Sequence, residues 1–223
     1  VNAGRRALLR LASVAAIATL GAGPGPWAWA GSYQDFFKAV DLDDARTVAK
    51  LLQRGLDPNI VDEKGQVALG LALRDGSMKV AEVLMAHPQT RLDAANATDE
   101  TPLMFAALRG HLDWVQRLLD KGVPVNRPGW SALHYAASGS ETAIVSLLLD
   151  RGAAIDARSP TQLTPLMMAA RDGAQDSAVL LARRGADTRL RNDAGLTAGE
   201  LARWAGRDAL AEKLSAGPAT ERR

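Results

Sequence analysis

Cysteine is absent from this chain of 223 residues, histidine occurs only three times, and aromatic residues make up 4%. The missing cysteine excludes disulfides, thiolate zinc sites, iron–sulfur ligation and cysteine nucleophiles together. The scarcity of histidine narrows the field again, because a reactive centre would have to use His87, His111, His134 or carboxylates, and no carboxylate–histidine spacing suits a metal. No serine lies in a nucleophile-elbow context. The one glycine cluster, GAGPG at 21–25, has neither the dinucleotide-binding nor the P-loop form and follows no strand. The expectation is therefore no catalytic residue, no cofactor and no metal. What is present, 47% hydrophobic and 23% charged residues, is ordinary for a globular protein of one or two domains.

Neither sign of charge is in large excess. Lys+Arg 27 against Asp+Glu 25 gives +2, and a pI near 9.2 invites a reading as a nucleic-acid or membrane-surface binder. The basic excess, however, sits in the first thirty residues. Arg5, Arg6 and Arg10 precede an uncharged run from Leu11 to Leu20, Gly21 to Pro26 interrupts it, and Ala28-Trp29-Ala30 has the small-x-small form that signal peptidases cleave. The run falls short of the roughly 20 residues that span a bilayer. Residues 1–30 are thus expected to be an export signal cut after Ala30, which would place the remainder in a bacterial periplasm. GRRALLR resembles a twin-arginine signal, although Gly4 stands where a polar residue is usual, so the general secretory route stays open. An uncleaved N-terminal anchor is the alternative. Val1 in place of Met reads as an unusual start or a clipped terminus, and neither alters the export reading. Setting the three arginines aside lowers Lys+Arg from 27 to 24 against 25 acidic residues, net −1. The mature chain is then expected neither to bind nucleic acid nor to insert into a membrane.

Internal repetition organises the rest. TPLMFAALRGH (101–111), SALHYAASGSE (131–141), TPLMMAARDGA (164–174) and TAGELARWAGR (197–207) align, with alanines at Ala106, Ala136, Ala169 and Ala202 and the same phase reaching back to Ala72 and Ala39. A second landmark is the glycine at Gly55, Gly122, Gly152 and Gly185. Most spacings are 33 or 34, but 101 to 131 is only 30, and the shortfall lies after Gly122 in VPVNRPGW. This pattern resembles ankyrin repeats over about residues 32–215, with SALHYAA and IVSLLLDRGAAID as the closest match. The resemblance implies an all-α solenoid of about six helix-turn-helix repeats of ~33 residues joined by hairpin loops. The repeats would fall at about 32–61, 62–95, 96–125, 126–158, 159–191 and 192–215, with 216–223 a flexible tail. The first, second and sixth depart most from the motif, as terminal capping repeats do.

Local chemistry points the same way. Thr101 and Thr164 suit N-caps, with Pro102 and Pro165 at the first helical position, where a missing N–H costs nothing. Paired alanines such as Ala136 and Ala137 let a second helix approach. Ile144, Val145, Leu148 and Leu149 have helical spacing, which also assigns Trp114 to the core beside Val115. Gly122, Gly152 and Gly185 fit left-handed residues just past helix ends. Asp41, Asp43 and Asp44 read as helix N-capping rather than a cation site. For His111 and His134 the resemblance implies structural hydrogen bonds between repeats, while His87 reads as a surface residue at a helix end.

The resemblance further implies a protein partner bound along the concave face, formed by hairpin fingers and the exposed side of the inner helices. Its variable positions fall on Tyr33, Gln66, Glu100, Trp130 and Leu163, on Arg74 with Asp75, on Arg109, on Arg171 with Asp172, and on Trp204. Trp130, beside Pro128 and Gly129, is either an interface anchor or a cover over the shortened finger. Trp204 is either a contact or a cover for the last repeat, and a ladder of Arg74, Arg109 and Arg171 would favour an acidic segment. The expected function is a monomeric, non-catalytic protein-binding module. Alternatives are a dedicated accessory, protective or inhibitory partner of one exported enzyme, a scaffold of the cell envelope, or an enzyme with an unrecognised carboxylate site.

Overall fold

The computed structural model describes residues 26–172 and 174–215. Arg5, Arg6, Arg10, the run Leu11–Leu20 and the tail 216–223 lie outside the described residues. Among the described residues twelve helices form six antiparallel pairs: α1 (Pro26–Asp41) with α2 (Ala45–Gln53), α3 (Ala68–Asp75) with α4 (Met78–Ala86), α5 (Pro102–Leu108) with α6 (Leu112–Asp120), α7 (Ala132–Ser138) with α8 (Thr142–Asp150), α9 (Pro165–Asp172) with α10 (Gln175–Arg183), and α11 (Ala198–Trp204) with α12 (Asp208–Ser215). α1 continues across the Ala30–Gly31 junction. Odd-numbered inner helices pack in order against one another, and even-numbered outer helices form a second layer behind them. Among the described residues the only β-pairing is one bridge, Val61 to Val67. The all-α solenoid is thus the observed architecture, and no helix is long and apolar enough to cross a membrane among the described residues.

Each repeat has too little apolar surface to sustain a core, so burial is continuous along the stack. Val48, Val80, Val115, Val145 and Ala178 occupy successive outer helices and are fully buried, as are Ala72, Ala106, Ala136, Ala169 and Ala202 in the inner row. Trp114 lies in the core as its helical spacing predicts, 7% exposed, with the Arg117 guanidinium 4.4 Å above its ring. Gly70 stands where His134 stands two repeats on. A Cβ there would come within 3.4 Å of the Phe105 ring, so the missing side chain admits the next repeat's phenyl group.

Helix ends follow the sequence closely, with one correction. Thr101 and Thr197 accept from the backbone N–H three residues on, and Thr164 caps Met167 in the same way. Gly122, Gly152 and Gly185 have φ of 85°, 84° and 97°, the left-handed region that a side chain enters only at a cost of about 1–2 kcal/mol. Asp44 caps its own helix, accepting from Thr47 N at 3.0 Å, and these bonds hold its carboxyl below the usual range. Asp43 does not. Its carboxylate accepts from Val80 N at 3.0 Å and so caps the outer helix of the following repeat. Asp41 is exposed at the end of α1.

The histidines divide. His134 is fully buried: Nε2 donates to the Leu163 carbonyl in the next repeat at 3.0 Å, and Nδ1 accepts from Ser131 N at 3.2 Å. His111 occupies the same turn as Arg207, which donates to the Ala170 and Arg171 carbonyls of the preceding repeat at 3.0 and 2.6 Å. Its imidazole lies against the Leu73 carbonyl of the preceding repeat, the equivalent of Ala170 and the contact that the resemblance implies, although its buried Nε2 makes no bond of full hydrogen-bond geometry among the described residues. His87 ends α4, where Nδ1 accepts from Gln89 N at 3.4 Å.

Successive outer helices are also tied by ion pairs, Arg117 to Glu82, Arg151 to Asp120 at 3.0 Å, and Arg184 to Asp150 at 2.7 Å. These are exposed and screened by solvent, so they add little to stability. Their effect is to fix the offset between neighbouring repeats.

Candidate protein-binding groove

Four of the five fingers between repeats are built by one device. A short polar side chain at Asp62, Asn96, Ser159 and Asn192 accepts from the backbone N–H two and four residues ahead: for Asn96, Thr98 at 3.0 Å and Glu100 at 2.8 Å; for Asp62, Lys64 at 2.8 Å and Gln66 at 2.7 Å. Ser159 and Asn192 do the same with Leu163 at 3.0 Å and Leu196 at 2.9 Å. Asp, Asn and Ser favour such turns because their oxygens replace a backbone acceptor. Sequence reasoning missed this series, although its phase of 33–34 residues matches the repeat.

The exception is the finger between α6 and α7, residues 121–131 against 151–164 in the next, shortened as the 30-residue spacing predicts. It has no turn of this kind. Instead Arg127 reaches the preceding finger, donating to the Asp99 carbonyl at 3.0 Å and pairing with the Asp99 carboxylate. Trp130 then folds over the neighbouring inner helix, its ring edge-to-face with His134 at 5.3 Å and near Tyr135 at 6.4 Å. It packs on the core and remains half-exposed, so the cover role is realised while one face stays open.

That face forms part of an open cavity of about 300 Å³, lined by Leu108, Trp130, Tyr135, Ser138 and Met168. Its origin is a local substitution pattern. Two residues after the recurring alanine (Ala72, Ala106, Ala136, Ala169 and Ala202) stand Arg74, Leu108, Ser138, Arg171 and Trp204, and the position beyond carries Asp75, Arg109, Gly139, Asp172 and Ala205. Small Ser138 and Gly139 open a gap where the second and fifth repeats carry Arg-Asp.

The expected arginine ladder does not form a row of free charges. Arg74 grips Asp75 through two bonds of 2.8 Å, and Arg171 grips Asp172 at 2.6 and 3.1 Å. Adjacent Arg-Asp on the last helical turn can close such a fork on itself, which neutralises both. Arg109 belongs to the following register position and has no ion-pair partner among the described residues. Glu100 is likewise engaged. It accepts from Tyr135 Oη at 2.7 Å, Asn96 Nδ2 at 2.9 Å and Thr98 Oγ1 at 2.7 Å. Burial alone would raise its carboxyl pKa, but these bonds and the nearby Arg74 outweigh it and hold the pKa below the ordinary value, while burial pushes the Tyr135 hydroxyl up.

The outlying candidates are not gathered at the cavity. Tyr33 binds its hydroxyl to the Val61 carbonyl at 2.9 Å, fastening α1 to the first finger. Leu163 is buried and Gln66 accepts from Asn96 Nδ2 at 2.9 Å. Trp204 covers little, being 79% exposed. No group of three or more His, Asp or Glu placed to hold a metal occurs among the described residues.

A family model described as "Ankyrin repeats (3 copies)" matches residues 36–128 and 124–192. Among curated relatives, the nuclear factor NF-kappa-B p105 subunit of Gallus gallus is 29% identical over 161 residues, covering 69% of this chain and 16% of that protein. The ankyrin repeat protein nuc-2 of Neurospora crassa is 34% identical over 141 residues, 61% of this chain and 13% of that protein. Neurogenic locus notch homolog protein 1 of Homo sapiens is 33% identical over 123 residues, 54% of this chain and 5% of that protein. The chain therefore spans about a sixth or less of the length of these relatives. Matching model, repeat phase and stacked helix pairs agree, and this chain belongs to the ankyrin-repeat family, whose arrays generally mediate protein–protein interaction.

Proposed function

We propose that the chain acts as an exported, periplasmic binding module that holds one protein partner in the groove between its fingers and inner helices. The observation that carries this reading is the open apolar cavity around Trp130 and Tyr135, set on a framework whose charged neighbours are mostly paired off internally. A surface already rigid loses little entropy on association. The periplasmic element rests on the sequence alone, on Arg5, Arg6, the run Leu11–Leu20 and the Ala28-Trp29-Ala30 site.

Affinity capture from periplasmic extract tests the binding element. Trp130→Ala is expected to weaken capture about tenfold or more, as loss of an aromatic anchor does, and Arg109→Glu by a smaller factor. Retention of every partner by both variants would rule the groove out. Export is tested separately. Replacing Arg5 and Arg6 by Lys is expected to leave the protein in the cytoplasm if the twin-arginine route carries it, whereas unchanged export assigns the general secretory route and a cytoplasmic wild-type chain defeats the periplasmic reading.

A further inference from the structure

We infer that the partner engages the cavity with a segment carrying one large apolar side chain and, within about three residues of it, an Asp or Glu. The inference rests on the proposed groove function and adds the chemistry of what the groove takes.

The cavity wall is mostly hydrocarbon, and the hydroxyl protons that border it are already committed. Tyr135 Oη is committed to Glu100 at 2.7 Å, and Ser138 Oγ donates to the carbonyls of Tyr135 and His134 at 3.2 and 3.3 Å. His134 beneath the Trp130 ring has both nitrogens occupied. A polar side chain entering here would find few partners in place of the water it loses, whereas a hydrocarbon one needs none. Leu108, 38% exposed, and half-buried Met168 add apolar wall on either side.

Charge decides the flank. Beyond Met168 the Arg171 guanidinium touches the sulfur at 3.2 Å but is bound to Asp172, and one repeat before the cavity Arg74 is bound to Asp75. Glu100 is turned inward onto Tyr135, Asn96 and Thr98. Glu141 passes beside Gly110, yet its Oε1 accepts from Ala143 N of its own helix at 3.3 Å. Arg109, which follows the lining residue Leu108 in the chain, is exposed and has no ion-pair partner among the described residues. A carboxylate on the partner would find a charge there, and a Lys or Arg would find repulsion.

A random dodecapeptide library displayed on phage and selected against the intact chain reads both requirements at once. The expected consensus is a Leu, Phe, Trp or Met with Asp or Glu within three positions. Binding of the selected peptides is expected to fall about tenfold or more with Ser138→Arg. That variant fills the cavity with the residue the second and fifth repeats already carry at this position, so it should fold, as a matching thermal melt would verify. Arg109→Glu is expected to weaken acidic peptides about fivefold and to favour their Lys-substituted forms. Selected peptides that are basic or lack an apolar anchor, yet lose binding with Ser138→Arg, would overturn this inference and keep the groove. Peptides indifferent to both variants would overturn the groove itself, and an unenriched library counts against the inference.

Discussion

Leu148→Ala is expected to cost about 2–5 kcal/mol of stability, seen as a lowered urea-melt midpoint. Leu148 lies in the last turn of α8, is fully buried and belongs to the core that runs through every repeat. Removing three carbons there leaves a void that neighbours on other repeats cannot close, because each is held by its own inner and outer partner. Leu112→Ala, at a side chain 37% exposed, provides the contrast and is expected to cost about 1 kcal/mol or less. The stack gives the result a second signature. Stability in such arrays is a sum of repeat and interface contributions, so a weak fourth repeat should broaden the transition or split it in two. An unchanged midpoint would contradict the register that places Leu148 inside.

The second large effect belongs to His134. His134→Ala strips the buried Leu163 carbonyl of its donor and the buried Ser131 N–H of its acceptor, and we expect a loss of about 3–5 kcal/mol, two unsatisfied groups plus a cavity. A pH experiment isolates the imidazole. A carbonyl can only accept, so Nε2 carries the proton and Nδ1 presents its lone pair to Ser131 N. Protonating Nδ1 would turn it against the Ser131 N–H and leave Ser131 Oγ, 2.9 Å away, as the group left to accept. Burial acts in the same sense and holds the His134 pKa below the ordinary 6.5. The unfolded chain therefore takes up a proton before the folded one does. Stability from neutral His134 is present above pH ~6.5 and is lost as the pH falls from there toward the depressed folded value. His111, also lowered by burial, contributes with the same sign. Melts at about pH 7.5 and pH 5.5 should show wild type losing more than His134→Ala, and equal losses would refute this tautomer.

The features that the sequence reveals are those made by residues close together in the chain. Thr101 capping Met104, Gly152 turning at the end of α8 and the helical stripe of α8 are each decided within one repeat, so phase and residue type suffice. Contacts between repeats are harder to read. Asp43 looks like a cap for the helix beside it and instead caps α4, because its left-handed backbone, φ 52°, turns the carboxylate away. Arg74 and Arg171 look like free charges until Asp75 and Asp172 are seen folded back on them. The cavity at Trp130 depends on what is missing at Ser138 and Gly139, and that absence has meaning only against the bulk of the equivalent residues on either side. The alternation of bulk is present in the aligned repeats, and comparing that column by size rather than by charge brings it out.

The shortened finger bears on how such a protein can change. In a β-hairpin, losing residues from the connection can shift the register of the strands it joins, and a one-residue slip turns every side chain of a strand to the other face. Here α5 still packs on α7 and α7 on α9, while the altered loop is absorbed by Arg127 and Trp130 next to it. Because each repeat touches only its neighbours, an insertion or deletion is paid for locally. A lineage can therefore lengthen, trim or exchange one finger at a time, acquiring a new client while the rest of the array goes on folding as before.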